Sequence, residues 1–314
     1  MIKPLAAAGF ALAVASGASA ATFTYVASEV AVGNTGTAGV VRDQFRVARS
    51  IPNAFGSNGV ADIQTGEARF LAAKSENPSD FVDPPTTITV DTGLFLRFDY
   101  TGAPLTLPQG AIRFAADGSF SRIFFGNALT GSGSTSTGVS FSVEGGNDSA
   151  FVRSDWGVTE SLNFTTIPPN GIIQPLPPTF AFRNSVLGDS SLIARRTVTA
   201  NRFDKLFLSP ELTLENGDSL LINVGFSGSA GSSSIGNRDG TPGQGQFRSN
   251  GSSTGALSLF LPEGAALAGL PNDVELDWVR FGAPPPIAPI PLPAAGWLLT
   301  AGLGCLIALR RKAR

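Results

Sequence analysis

Between residues 21 and 283 the chain alternates apolar and polar positions with a period of two, and Gly, Ser, Asn and Pro punctuate the runs. This spacing places one face of an extended strand in a core and the other in water. In Leu94–Tyr100 the residues Leu94, Leu96, Phe98 and Tyr100 share one face, with Arg97 and Asp99 on the other. Thr22–Val26 sets Phe23 and Tyr25 between threonines, Thr86–Val90 forms another run, and Val139, Phe141 and Val143 alternate with serines. Leu257, Leu259 and Leu261 form a further strand face, and Val274, Leu276 and Trp278 a last one. Two dipeptides read as turns. Asp117-Gly118 separates Ile112–Ala115 from Phe120–Phe125, and Asn216-Gly217 separates Glu211–Glu215 from Asp218–Phe226. The second predicts a hairpin, because Asn-Gly accepts the positive φ angles of a type I′ turn.

Helix is scarce. Val41, Phe45 and Ala48 have helical spacing, and Gly264–Leu270 allows a turn or two, but neither run is long enough to cover a sheet. Two segments dominated by Gly and Ser, Thr130–Gly138 and Ser227–Gly255, read as mobile loops. The expectation is an all-β chain, an antiparallel β-sandwich or jelly-roll-like domain over residues 21–283. Pro168, Pro169, Pro175, Pro177 and Pro178 fit a linker that splits this region near 168–179, or a long loop inside one domain. One domain is the better fit, since the first half alone has few strongly apolar strands.

Both ends carry targeting signals. Lys3 precedes an apolar run, Leu5–Ala15, and Ala18-Ser19-Ala20 supplies small residues for a signal peptidase. A signal peptide over 1–20 is predicted, cut between Ala20 and Ala21. At the other end a Pro-rich spacer (284–293) leads into an uncharged, mostly apolar stretch (294–309) and a basic tail (310–314) with Arg310, Arg311, Lys312 and Arg314. As a helix the apolar stretch spans about 24 Å, slightly short of a hydrocarbon core of about 30 Å. Trp297 and the basic cluster extend the match by interfacial seating, and the positive-inside rule puts the tail in the cytoplasm and the folded part outside the inner membrane.

The residues Pro291, Leu292, Pro293, Ala294 and Ala295, followed by Gly296, an apolar run and a basic terminus, resemble the VPLPA-CTERM variant of the bacterial PEP-CTERM sorting signals, with Ile290 where the leading Val is usual. The resemblance covers the tail alone. It implies processing by an exosortase-type transpeptidase near Pro291–Ala295 and delivery to the cell surface or an exopolysaccharide-rich matrix. An ordinary C-terminal membrane anchor predicts the same topology.

Charge narrows the partners. Setting aside Lys3 and the four basic tail residues leaves 17 of the 22 basic residues against 24 acidic ones, a net charge of −7. That argues against nucleic acid or an anionic lipid surface. The single cysteine, Cys305, lies in the tail, so no intramolecular disulfide is possible, and it reads as a small apolar helix residue.

The absence of histidine excludes Ser-His-Asp and Cys-His triads and every His-containing metal site. Lys74 and Lys205, the two lysines of the exported part, lie in no Ser-x-x-Lys arrangement. Glu144, Asp155, Glu160, Glu275 and Asp277 are candidate paired carboxylates for glycoside hydrolysis. The competing reading, that they are solvated strand-end residues, is the better fit to their alternation with apolar neighbours. Glu144, Asn147 and Asp148, and Asn237 with Asp239, offer oxygen ligands suited to calcium. They match ordinary turns at least as well, so neither a metal nor another cofactor is expected. Trp156, beside Arg153 and Asp155, is a candidate sugar-stacking platform, whereas Trp278 continues an apolar face. The sequence thus points to an exported, non-enzymatic surface or matrix protein, a substrate of signal peptidase and an exosortase-type enzyme, with polysaccharide as its candidate ligand. A secreted glycan-active hydrolase and a purely structural matrix filler are the alternatives.

Overall fold

The computed structural model describes residues 20–33, 40–50, 56–76, 87–125, 128–162, 179–183, 193–198, 202–232, 236–237, 244–271 and 274–286. Among the described residues every regular element is a strand. In chain order they are β1 (Thr22–Gly33), β2 (Val41–Asp43), β3 (Arg46–Ser50), β4 (Asn58–Asp62), β5 (Glu67–Glu76), β6 (Thr87–Thr101), β7 (Leu105–Leu107), β8 (Ile112–Phe125), β9 (Ala128–Gly145) and β10 (Asp148–Leu162). There follow β11 (Thr179–Arg183), β12 (Ile193–Val198), β13 (Arg202–Leu208), β14 (Leu212–Leu214), β15 (Ser219–Ser232), β16 (Gly236–Asn237), β17 (Gln244–Leu261), β18 (Ala266–Ala268) and β19 (Val279–Phe281).

Two large sheets result. The first runs β11-β10-β9-β15-β6-β1-β18, and the second β12-β13-β8-β17-β5-β4-β3. Pairing is antiparallel except where β18 joins β1 and β19 joins β17. A small third sheet pairs β14 with β7. The inward residues of both large sheets form one hydrophobic cluster. Rings cross the layer: Phe226 of the first sheet meets Phe70, Phe114 and Phe203 of the second, at centroid distances of 4.7, 6.0 and 6.1 Å. Strands from either side of residues 163–178 interleave, with β15 between β9 and β6, and β17 between β8 and β5.

The period-two reading carries over to the strands almost residue by residue. On β6 the even positions from Ile88 to Tyr100 are buried and the odd ones open outward, as burial on one face of an antiparallel sheet requires. Trp278 is buried, its Nε1 donating to the Ile63 carbonyl at 2.7 Å, and its ring covers Gly66 in the β4–β5 turn.

Five expectations are corrected. The Gly/Ser-rich stretches of 130–138 and 227–255 enter long strands, β9, β15 and β17, because aromatic side chains of the opposite sheet fill the space that their glycines leave. Asp117-Gly118 is no turn. β8 runs straight through it, and Gly118 sits where β17 bulges between Asn250 and Thr254, its missing Cβ leaving room for the Asn250 carbonyl and the Phe203 ring. Phe203 pairs directly with Gly118, so a cross-strand ring covers the bare backbone. Asn216-Gly217 makes a turn, with Asp218 N–H donating to Glu215 O at 3.0 Å and Gly217 at φ +97°, but it is a corner rather than a hairpin. β14 pairs with β7, and β15 with β6 and β9. The helical spacing at 41–48 becomes β2 and β3, and Gly264–Leu270 contributes β18, since both stretches find a strand to pair with. Val274–Trp278 keeps its in-out alternation but forms a turn before β19 rather than a strand, held by Asp277 N–H to Gln64 O at 2.9 Å.

Candidate functional site

The outward face of the first sheet carries a depression of about 200 Å³ across β6, β15 and β9, lined by Asp91, Gly138, Ser140, Gly225 and Ser227. Its origin is a matter of register. Asp91 pairs with Ser227, which pairs with Gly138; one rank along, Gly93 pairs with Gly225, which pairs with Ser140; the next rank is Phe95, Asn223 and Ser142. Apart from Asp91, two adjacent ranks are thus built from glycine and serine alone, between Phe95 and Asn223 on one side and a Ser136–Ser229 hydroxyl pair at 2.6 Å on the other. With strands about 4.8 Å apart, the trough extends about 10 Å across three strands.

Three features give this trough chemistry. Asp91 is half-buried and makes no hydrogen bond or ion pair among the described residues; desolvation pushes its carboxyl above its ordinary value of 3.8. Ser227 directs its hydroxyl at the Gly138 carbonyl over 3.5 Å, a long contact that leaves most of its bonding capacity unused. Phe95, 37% exposed, presents an apolar ring on the solvent face of the sheet. A carboxylate and hydroxyls in the trough, with an amide and an open ring in the rank beside it, are groups that bind a polyhydroxylated ligand with an apolar face. Neighbouring charges are already committed: Glu29 pairs with Arg42, and Arg97 with Asp99.

Of the residues singled out from sequence, Glu144 is exposed on β9, outside the depression, while Glu275 and Asp277 are exposed in the turn before β19 of the second sheet, so these three carboxylates do not converge. Asp155 and Glu160 lie on β10, where backbone pairing sets them opposite Gly138 and Gly133. Trp156 is on the same strand, at the position of Thr137. Asn147 follows Gly146 in a two-residue hairpin turn, Gly146 having φ +60°, and Asp148 spends Oδ2 on the Thr213 backbone N–H at 3.0 Å. That hydrogen bond ties the β9–β10 hairpin to β14. Asn237 is in β16 and Asp239 lies outside the described residues; no group of three acidic, cysteine or histidine side chains suited to a metal occurs among the described ones.

Ala20 and Ala21 immediately precede β1, and the Ala21 carbonyl accepts from Ala266 N–H at 2.8 Å. Ala18, the sorting residues Pro291, Leu292, Pro293, Ala294 and Ala295, and the apolar stretch 294–309 lie outside the described residues. Among the described residues no helix is long and apolar enough to cross a membrane. The root of the spacer is held: Arg113 donates to the Pro285 carbonyl at 2.7 Å and to the Gly110 carbonyl at 2.8 Å, its guanidinium 5.2 Å from the Phe260 ring centre.

The trough residues escaped the sequence reading. Asp91, Gly93, Phe95, Ser140 and Gly225 are unremarkable along the chain, and they meet only through pairings between strands far apart in sequence. The one local sign was glycine at outward positions of otherwise alternating strands. No family model matches the chain, and neither a curated protein nor a solved structure matches it.

Proposed function

We propose that this chain is an exported, non-enzymatic surface or matrix protein whose β-sandwich, jelly-roll-like domain binds polysaccharide in the trough between Asp91 and Phe95. The observation that carries the reading is the unpartnered, half-buried Asp91 beside open serine hydroxyls, on the same strand face as an exposed Phe95. A half-buried carboxylate without a partner is unfavourable for the free fold and favourable once a ligand donates to it. Sugar hydroxyls supply such donors, and the carbon-bound face of a pyranose packs on an aromatic ring. Export rests on the signal peptide over 1–20, and sorting on the tail that resembles VPLPA-CTERM signals, which brings an exosortase-type transpeptidase as partner and the inner membrane as a transient anchor.

Two measurements test this. Fractionation and intact-mass analysis of the protein from its own cells should show a mature N-terminus at Ala21, loss of the tail near Pro291–Ala295, and recovery outside the inner membrane. An intact C-terminus ending at Arg314 in the inner membrane refutes sorting. A glycan-binding screen of the full chain in detergent should return oligosaccharide ligands whose binding falls at least about fivefold on Phe95→Ala. Binding that ignores this change refutes the trough as the site.

A further inference from the structure

Resting on the glycan-binding reading, we infer that the Asp91 end of the trough is a subsite for an amine, so that the preferred ligand is a polysaccharide of amino sugars carrying free ammonium groups. Three observations converge on it. Asp91 lines the depression and is neutralised by no cation among the described residues, whereas two other carboxylates on the outer face of β1 and β6, Glu29 and Asp99, both hold arginines. The site has room for one sugar unit, and the glycines at 138 and 225 keep side chains out of it. The exported part of the chain is net acidic at −7, which draws a polycationic chain toward it and repels an acidic one.

The chemistry sets the order of preference. An ammonium donates charge-assisted hydrogen bonds to a carboxylate, roughly twice as strong as those of a neutral hydroxyl, and partial desolvation of the carboxylate enlarges the difference. N-acetylation removes that charge and adds bulk where Asp91 and Ser227 close the trough. Phe95, two ranks away at about 13 Å along the strand, stacks with a sugar unit further along the chain whatever its substituent, so Asp91 and Phe95 divide the work. Asp91 selects, and Phe95 contributes affinity.

The test is titration calorimetry of the full chain in detergent, near pH 6, with three hexasaccharides of one β-1,4 linkage: glucosamine, N-acetylglucosamine and glucose. The glucosamine chain is expected to bind about tenfold more tightly than the other two. Asp91→Asn, which keeps size and shape, should bring it down to their level while changing their affinities less than about twofold. Phe95→Ala should weaken all three, and Glu211→Gln, exposed and remote from the trough, should weaken none. Equal binding of the three sugars overturns the amine subsite and leaves glycan binding standing. A glucosamine preference that survives Asp91→Asn assigns the effect to overall acidity and also overturns the subsite. Failure of all three to bind, with the variants folded by thermal melting, overturns both the subsite and the glycan reading.

Discussion

On β9 and β15 the inward positions change character at a single rank. Val143 with Ile222, Phe141 with Val224 and Val139 with Phe226 make one half; Thr137 with Gly228, Thr135 with Ala230 and Gly133 with Ser232 make the other. In the first half apolar side chains come from both sheets, with Leu94, Leu96, Phe114, Phe207, Leu257 and Leu259 completing the layer. In the second half β9 and β15 contribute little volume, and the apolar side chains of the first sheet at these ranks are Val90 and Ile88 of β6. The second sheet compensates: the Phe70 ring lies against Gly228 and the Phe247 ring against Gly133, in each case where a Cβ would stand. Residual polarity is absorbed by hydrogen bonds, Thr137 to Ser249 at 2.9 Å and Ser249 to the Ser136 carbonyl at 2.7 Å. The difference teaches that a face-to-face layer needs constant summed volume rather than a large apolar residue from every strand. The trough on the outer face lies at the boundary between the halves, behind Val139 and Phe226.

The sharpest way to break the comparison is at its hinge. Phe226 touches rings of three opposing strands, and Phe226→Ala should cost about 3–5 kcal/mol in urea denaturation, since both halves lose their common contact. Gly228→Ala comes next, at about 3 kcal/mol, because its Cβ overlaps Phe70. Trimming the ring in Gly228→Ala/Phe70→Leu should recover part of that loss, whereas additive effects would show that the glycine is not there for the ring. Gly225→Ala, facing outward against the rotatable Ser140 hydroxyl, should cost under about 1 kcal/mol. Thr137→Val removes one buried hydrogen bond and should cost about 1 kcal/mol by the same assay.

The smallest effect has the opposite sign. Asp91→Asn should stabilise the ligand-free protein by up to about 1 kcal/mol. Because the folded-state pKa of Asp91 is raised by desolvation, the folded protein binds the proton more tightly than the unfolded chain. The penalty is therefore fully present above the raised value and is lost as pH falls toward the ordinary value of 3.8. Denaturation midpoints of wild type and variant, measured from pH 7 downward, should converge in that window; a constant gap would show that Asp91 carries no desolvation penalty.

Legibility followed the range of the physics. Leu94–Tyr100 and Val139–Val143 could be read directly, since a half-buried strand imposes its own alternation. Gly228 and Gly133 could not. Seen alone, a Gly/Ser run has the composition of a loop, and only Phe70 and Phe247, far away in sequence, turn it into a strand. Asn216-Gly217 was legible as a turn but not as a corner, because a turn fixes the local chain direction and not which strand the next segment pairs with. Glu275 and Asp277 were legible as solvent-facing from their neighbours, while the Asp91 trough was illegible from any single strand.

By itself the sequence determined the strand faces, the all-β character and the lack of histidine and disulfide chemistry, because each depends on neighbouring residues or on composition alone. The tertiary structure decided the rest. Sheet order and register depend on pairing between distant segments, and register alone set Gly93 beside Gly225 and Asp91 beside Ser227. Since a strand shows opposite faces at successive residues, a shift of one position would have buried that carboxylate in the core and turned the aliphatic residues to water.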